Sequence, residues 1–196
     1  MVTRPVALSG GGDEMSLRCL SLFSGAGGES LATGRMLGWR HLGYVEYDDY
    51  CQRVLAQRMR DGHIDTAPIF GDIRAFNSQG YAARYRGLVD VVCGGFPCQP
   101  FSTAGARRGL DDARNMWPAT LTTLRIVEPR WVYLENVPGL IAGASGAYFG
   151  TILSDLASLG YDVRWQVLGA HEVGARHKRD RLWIVGEQVA NAHSVQ

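Results

Sequence analysis

Short apolar runs alternate with segments of helical composition along most of this 196-residue chain. The first cycle passes from an apolar run at residues 17–23, through the turn Ser24-Gly25-Ala26-Gly27-Gly28, to a helical segment at residues 29–37. Further strands are predicted at residues 39–46, 67–70, 88–93 and 131–134, and further helices at 48–59, 79–85, 111–127 and 148–159. This alternation predicts an α/β fold with a doubly wound, mostly parallel sheet.

The last two predicted strands, residues 162–168 and 181–186, are joined by a basic segment rather than by a helix. A connection without a crossover helix favours an antiparallel pair. The sheet is therefore expected to carry an antiparallel edge strand, which is typical of the common methyl-donor-binding fold. We expect one domain at residues 17–187, between a flexible tail at residues 1–16 and a C-terminal tail at residues 188–196.

Composition excludes several classes of protein. With 46% hydrophobic and 20% charged residues, the chain is expected to be globular and large enough for a substantial core. No run reaches the roughly 18 apolar residues that span a bilayer, so we expect a cytoplasmic protein without a membrane partner. The four cysteines form no C-x-x-C pair and no Cys/His group with zinc spacing, so neither disulfides nor a metal are expected.

The segment Gly94-Gly95-Phe96-Pro97-Cys98-Gln99-Pro100-Phe101-Ser102 follows a predicted buried strand and presents Cys98 directly after a proline. In open α/β sheets, ligands and catalytic groups collect beyond the carboxyl ends of the strands. Pro97 and Pro100 restrict the backbone around Cys98, which suits a nucleophile. For a cysteine taken alone, a buried structural role is the commoner alternative.

Other predicted strands end in polar or glycine-rich loops at the same edge. The turn at residues 24–28 would let a ligand approach the backbone and a helix N-terminus. Glu46 stands where dinucleotide-binding folds place the acid that binds ribose hydroxyls, although a solvated Glu is the alternative. Tyr47 could stack on an adenine or simply cover the sheet edge. The absence of G-x-G-x-x-G favours an adenosyl group without a pyrophosphate.

Together these motifs resemble the DNA cytosine-5 methyltransferase family. The matching motifs, in the family's order and spacing, are Leu22-Phe23-Ser24-Gly25-Ala26-Gly27-Gly28, Glu46, Gly71-Asp72-Ile73, Gly94 to Ser102, Glu135-Asn136-Val137 and Lys178-Arg179-Asp180-Arg181. The resemblance covers about residues 17–187. It implies the class I adenosylmethionine-dependent methyltransferase fold, which is Rossmann-like.

S-adenosylmethionine is the cofactor that the resemblance implies. The implied cofactor site comprises Phe23, Ser24, Gly25, Ala26, Gly27, Gly28, Glu46, Tyr47, Asp72, Ile73 and Pro97. Within it, Phe23 and Tyr47 would lie against the adenine and Glu46 on the ribose. Asp72 and Ile73 would meet the adenine edge, and the glycine turn would lie near the methionine portion.

The resemblance also implies a covalent mechanism. Because carbon 5 of cytosine is too electron-poor to attack a methyl group, the thiolate of Cys98 would first add to carbon 6 of a flipped-out base. Glu135 would stabilise the charge at ring nitrogen 3, and Asn136 would order the loop around the cysteine. Arg181, with Arg179 alongside, would position the base.

Double-stranded DNA is the implied partner. Residues 101–114, rich in Gly and Arg, resemble the family's mobile loop that closes over DNA. The side chains expected to contact DNA are Gln99, Ser102, Arg107, Arg108 and Arg114. The segment Ala175-Arg176-His177 departs from the proline and glutamine of many relatives, which predicts an altered turn and an additional positive charge towards DNA.

Relatives usually continue through a target-recognition domain and a last helical motif, and neither is recognised before Gln196. One expectation is therefore a catalytic subunit completed by a second polypeptide. The alternatives are a folded but inactive fragment, and a protein that binds adenosylmethionine or nucleic acid without turnover. Within enzymes, the alternative is a tRNA cytosine-5 methyltransferase.

Overall fold

The computed structural model describes residues 16–97, 115–142 and 146–189. The strands in these ranges are β1 (Arg18–Leu22), β2 (Arg40–Val45), β3 (Ile69–Phe70), β4 (Val91–Gly95), β5 (Trp131–Asn136), β6 (Tyr161–Gly169) and β7 (Asp180–Gln188). They form one sheet in the order β3-β2-β1-β4-β5-β7-β6. Strands β1 to β5 pair in parallel, whereas β7 runs antiparallel to both β5 and β6. The predicted α/β class, with an antiparallel pair at one edge, is confirmed, and the reversed strand is the inner member of that pair.

Helices connect the strands much as the alternation predicts. They are α1 (Gly28–Leu37), α2 (Asp49–Arg60), α3 (Ile73–Ser78), α4 (Trp117–Val127), α5 (Gly139–Ala142) and α6 (Ala147–Ser158), with 3-10 turns at Ala82–Tyr85 and Ala170–Val173. The helix predicted at residues 79–85 is only the first of these turns, and α3 precedes it. Across the described ranges, every helix is too short or too polar to cross a bilayer.

The two faces of the sheet are packed differently. On one face, alternate side chains such as Leu20, Val92 and Leu134 join a large apolar core with α3, α4 and α6. On the other face, Cys19 and Cys93 lie in a smaller cluster whose aromatic neighbours are only partly buried. Because strands β1 to β5 are parallel, their carboxyl ends meet at one edge, where the loops can form a site.

Candidate active site

A cavity of about 620 Å³ opens at the carboxyl ends of β1 to β4. Its lining residues are Phe23, Val45, Glu46, Tyr47, Gly71, Asp72, Ile73, Arg74, Gly95, Pro97 and Met116. The cavity therefore gathers most of the side chains that the sequence assigns to a cofactor site. The glycine turn lies beside it and is joined to it through Glu46.

Glu46 directly follows β2, and its carboxylate is held by the main chain. The Gly25 amide donates to Oε2 at 2.6 Å, and the Asp48 amide donates to Oε1 at 2.8 Å. The side chain of Gln52 donates to the Glu46 carbonyl at 2.7 Å. Each carboxylate oxygen keeps a second lone pair, so the group can still accept hydrogen bonds from two hydroxyls of a ligand.

The turn at residues 24–28 is fixed by its own hydrogen bonds and by packing on α2. Buried Ser24 receives the Gly27 amide on its carbonyl at 2.8 Å and donates its hydroxyl to the Ser21 carbonyl at 3.1 Å. Gly27 has a φ of 77°, and a Cβ there would lie 2.8 Å from Leu55 Cδ2. A side chain at this position is therefore disfavoured by the backbone conformation and would displace the end of the Leu55 side chain. Neighbouring Ala26 and Gly28 are exposed.

Two aromatic rings border the cavity. Phe23 is partly buried and has a φ of 52°, a left-handed conformation that costs an ordinary side chain roughly 1–2 kcal/mol. Tyr47 is 78% exposed, although it too lines the cavity. The backbone strain at Phe23 lies at the edge of the cavity, as strained residues commonly lie at functional sites.

Asp72 has a structural role as well as a place in the wall of the cavity. Its Oδ1 accepts the Arg74 amide at 2.7 Å and so caps the N-terminus of α3. The next residue, Ile73, is buried in the main core and also lines the cavity. The same short segment therefore starts a helix and closes one side of the pocket.

Glu135 and Arg181 form an ion pair between β5 and the start of β7. Both side chains are mostly buried, with 30% and 23% exposure respectively. Gly95 pairs with Glu135 across β4 and β5, and a Cβ on it would lie 2.6 Å from Glu135 Oε2. The glycine thus leaves space for the carboxylate, and the guanidinium holds it in place.

Asn136 connects β5 to the segment that leads towards Cys98. The side chain is buried; its Nδ2 donates to the Phe96 carbonyl at 2.8 Å, and its Oδ1 accepts the Val137 amide at 2.9 Å. These bonds fix the backbone directly before Pro97, and a role of Asn136 in ordering the loop around the cysteine stays a prediction.

The remaining predicted residues stand apart from these contacts. Arg179 is exposed in the turn before β7 and has a φ of 37°. The other predicted catalytic and DNA-contacting residues lie outside the described residues: Cys98, Gln99, Ser102, Arg107, Arg108 and Arg114. Sequence reasoning missed Gln52 and Met116 because an isolated glutamine or methionine carries no distinguishing pattern.

Comparison with known proteins identifies the family. The sequence profile described as C-5 cytosine-specific DNA methylase matches residues 17–195. The type II methyltransferase M.AquIA of Picosynechococcus sp. is 35% identical over 189 residues, covering 89% of this chain and 73% of that protein. The type II methyltransferase M.NgoMIV of Neisseria gonorrhoeae is 32% identical over 171 residues, covering 87% of this chain and 52% of that protein. The chain thus spans about half the length of several curated relatives it matches.

Solved structures show the same fold. A prophage-encoded protein of E. coli, described as a DNA modification methyltransferase, aligns with a TM-score of 0.71 at 24% identity, covering 88% of this chain and 47% of that one. The S. pombe Dnmt2 methyltransferase aligns with a TM-score of 0.64 at 20% identity, covering 88% of this chain and 51% of that one. The predicted class I methyltransferase fold is thereby confirmed. With the profile match spanning nearly the whole chain, the protein belongs to the C-5 cytosine-specific DNA methylase family.

Proposed function

We propose that this chain is a catalytic domain that transfers a methyl group from S-adenosylmethionine to carbon 5 of cytosine in double-stranded DNA. The observation that carries the proposal is the placement of two anchored carboxylates at one sheet edge. Glu46 borders the cavity at the end of β2, and Glu135 lies at the end of β5 beside Gly95. Pro97, which leads directly to Cys98, also lines that cavity.

The cavity fits S-adenosylmethionine in size and chemistry. Its volume of about 620 Å³ lies within the usual range for small-molecule sites, ~300–1,000 Å³. Glu46 offers acceptors for two neighbouring ribose hydroxyls, and the rings of Phe23 and Tyr47 offer apolar surfaces for adenine. S-adenosylmethionine, when bound, supplies an electrophilic methyl group on a sulfonium. The glycine turn provides backbone close to the cavity, where the methionine portion would lie.

The other half of the site would act on the base. The Cys98 thiolate adds to carbon 6 of cytosine, which makes carbon 5 nucleophilic enough to take the methyl group. Glu135 exchanges a proton with ring nitrogen 3 as charge develops on the cytosine ring and then disperses. Arg181 fixes the Glu135 carboxylate and, with Arg179 nearby in sequence, orients the base. Loss of the carbon 5 proton then releases the thiol by elimination.

Contacts to the DNA backbone are proposed for Gln99, Ser102, Arg107, Arg108 and Arg114. Each phosphate neutralised by a basic side chain adds about 0.9 to the slope of log affinity against log salt. Replacing Arg107 and Arg108 with alanine should therefore reduce that slope by about 1.8. An unchanged slope would place both arginines away from the phosphates.

The covalent step is tested by trapping. The protein is incubated with labelled S-adenosylmethionine and a duplex containing 5-fluorocytosine, in which the carbon 5 proton that must leave is replaced by fluorine. We expect a labelled adduct that resists denaturation and disappears in Cys98→Ala. Cys51→Ala is the matched control, because Cys51 is partly exposed on α2, and it should retain the adduct.

The other functions considered give different outcomes. Cofactor binding without an adduct would favour a binding protein, and loss of both would favour an inactive fragment. An adduct that forms only after a second polypeptide is added would support a two-chain enzyme. An adduct with 5-fluorocytosine tRNA but not with the duplex would make RNA the substrate.

A further inference from the structure

Four side chains able to bind metal converge between α1 and the sheet, on the face opposite the main core. They are Cys19 of β1, Glu29 of α1, His41 of β2 and Cys93 of β4, and their ligand atoms all lie within 4.8 Å of one another. Cys19, His41 and Cys93 are buried, and Glu29 is partly buried. As Cys19 and Cys93 alone are 74 residues apart, no short spacing motif could have revealed the group.

The ligand atoms, all within 4.8 Å of one another, lie near the spacing around a small tetrahedral ion. Zn²⁺ bonds of about 2.0–2.3 Å separate neighbouring ligand atoms by about 3.3–3.8 Å. The nearest Glu29 oxygen lies 3.7 Å from His41 Nε2, within that range. The two cysteine Sγ atoms are 2.7 Å apart, so the thiols need to separate by only about 1 Å to reach tetrahedral spacing.

Carboxylate and hydroxyl groups surround two of these ligands, His41 and Glu29. A metal-binding histidine generally directs its other ring nitrogen at a carboxylate or carbonyl. His41 Nδ1 faces Asp65 Oδ2 at 3.9 Å, beyond hydrogen-bond distance, whereas Nε2 lies 3.3 Å from Thr33 Oγ1 and 3.7 Å from Glu29 Oε1. The Glu29 carboxylate in turn accepts the hydroxyls of Ser21 and Thr33, each at 3.2 Å.

We propose that Cys19, Glu29, His41 and Cys93 form a structural zinc site. Two thiols, one imidazole and one carboxylate fill the four positions of a closed tetrahedral site, and the two thiols lose their protons as the ion binds. The ion would join three strands to the first turn of α1. Because Glu29 follows Gly28 directly, a bound ion would also fix the end of the glycine turn. The sequence predicts no metal, because its cysteines and histidines lack a zinc-spacing motif. Measurement of metal content distinguishes that prediction from the proposed zinc site.

Metal content of the purified full chain is the first test. Protein expressed with zinc in the medium and purified without chelators should carry one zinc per chain by elemental mass spectrometry. Cys19→Ser and Cys93→Ser should each reduce this content at least tenfold. Cys51→Ser, which alters a thiol outside the group, should retain one equivalent. Zinc that is substoichiometric and equal in all four proteins would overturn the proposal.

A second measurement covers the case in which the serine variants fail to fold. Wild-type protein is stripped with a chelator and titrated with Co²⁺, which should give the thiolate-to-metal charge-transfer absorption expected of two cysteine ligands and saturate at one equivalent. A stripped protein that keeps its fold but gives no such absorption would overturn the proposal. In protein without zinc, an intact mass 2 Da below that of the reduced chain, with a non-reduced peptide map linking Cys19 to Cys93, would instead show a disulfide between them and overturn the proposal.

Discussion

Glu46 and Glu135 occupy equivalent places, each at the carboxyl end of a parallel strand, but they are anchored differently. Two main-chain amides hold Glu46, those of Gly25 and Asp48. The side chain of Arg181 holds Glu135, in the space that Gly95 leaves open. An acceptor fixed by the main chain suits neutral hydroxyls that must bind in one place. A carboxylate held by another side chain can exchange partners when a base enters.

The largest expected effect follows from replacing Glu135. Because the group is proposed to move a proton as the thiolate adds, Glu135→Gln should reduce adduct formation and turnover by about 10²- to 10⁴-fold. Cofactor affinity should change by less than about twofold, since Glu135 is not among the residues that line the cavity. Single-turnover assays and equilibrium titration with S-adenosylmethionine separate the two quantities. Equal losses of turnover and of cofactor affinity would contradict the division of the site into a cofactor half and a base half.

A methyl group at position 95 should disturb the same carboxylate without removing it. In Gly95→Ala the new Cβ would lie 2.6 Å from Glu135 Oε2, so the side chain must move. We expect turnover to fall about tenfold or more, with a stability loss of about 1–3 kcal/mol from overpacking. Gly150→Ala is the control, since a Cβ on that exposed helical glycine meets nothing within 4 Å.

The matching change in the other half is Glu46→Gln. An amide nitrogen in place of one carboxylate oxygen would face either the Gly25 or the Asp48 amide, donor against donor. Cofactor affinity should weaken about tenfold, which corresponds to about 1.4 kcal/mol. Turnover at saturating cofactor should stay near the wild-type value. A fall in saturated turnover with unchanged affinity would reverse the roles given to the two glutamates.

The smallest effect concerns an arginine–carboxylate pair at the opposite edge of the sheet. Arg18 donates to both oxygens of Asp90 at 2.9–3.0 Å, and these hydrogen bonds lower the pKa of Asp90. A lowered folded-state pKa adds stability above the unfolded pKa, about 3.9, and that stability is lost as pH falls through the folded value. The stability difference between wild type and Asp90→Asn should therefore be small at pH 7 and vanish under strongly acidic conditions. Urea titrations across pH provide the measurement. A stability difference between the two proteins that grows as the pH falls would contradict this prediction.

The edge of the sheet that carries the candidate site could be predicted, because it follows from the alternation of strands and helices along the chain. Once parallel strands are inferred, Glu46 and Glu135 must lie at the same edge, wherever the strands stand in the sheet. Helix α3 was missed because it is short and depends on one capping side chain, that of Asp72. The space that Gly95 provides for Glu135, and the approach of His41 to Cys93, arise from pairing between strands distant in sequence. No local pattern encodes such contacts.

The left-handed backbone of Phe23 carries a ring that both packs against the main core and borders the cavity. Glycine would adopt that φ without steric strain, and its lack of a side chain would remove a ring that borders the cavity. Glycine would also lose the packing of that ring against the main core, so its net effect on stability is the difference between the strain relieved and the apolar burial lost. Because core packing alone would also retain an aromatic ring here, a loss of ligand affinity in a stably folded variant is the result that would assign position 23 to ligand binding.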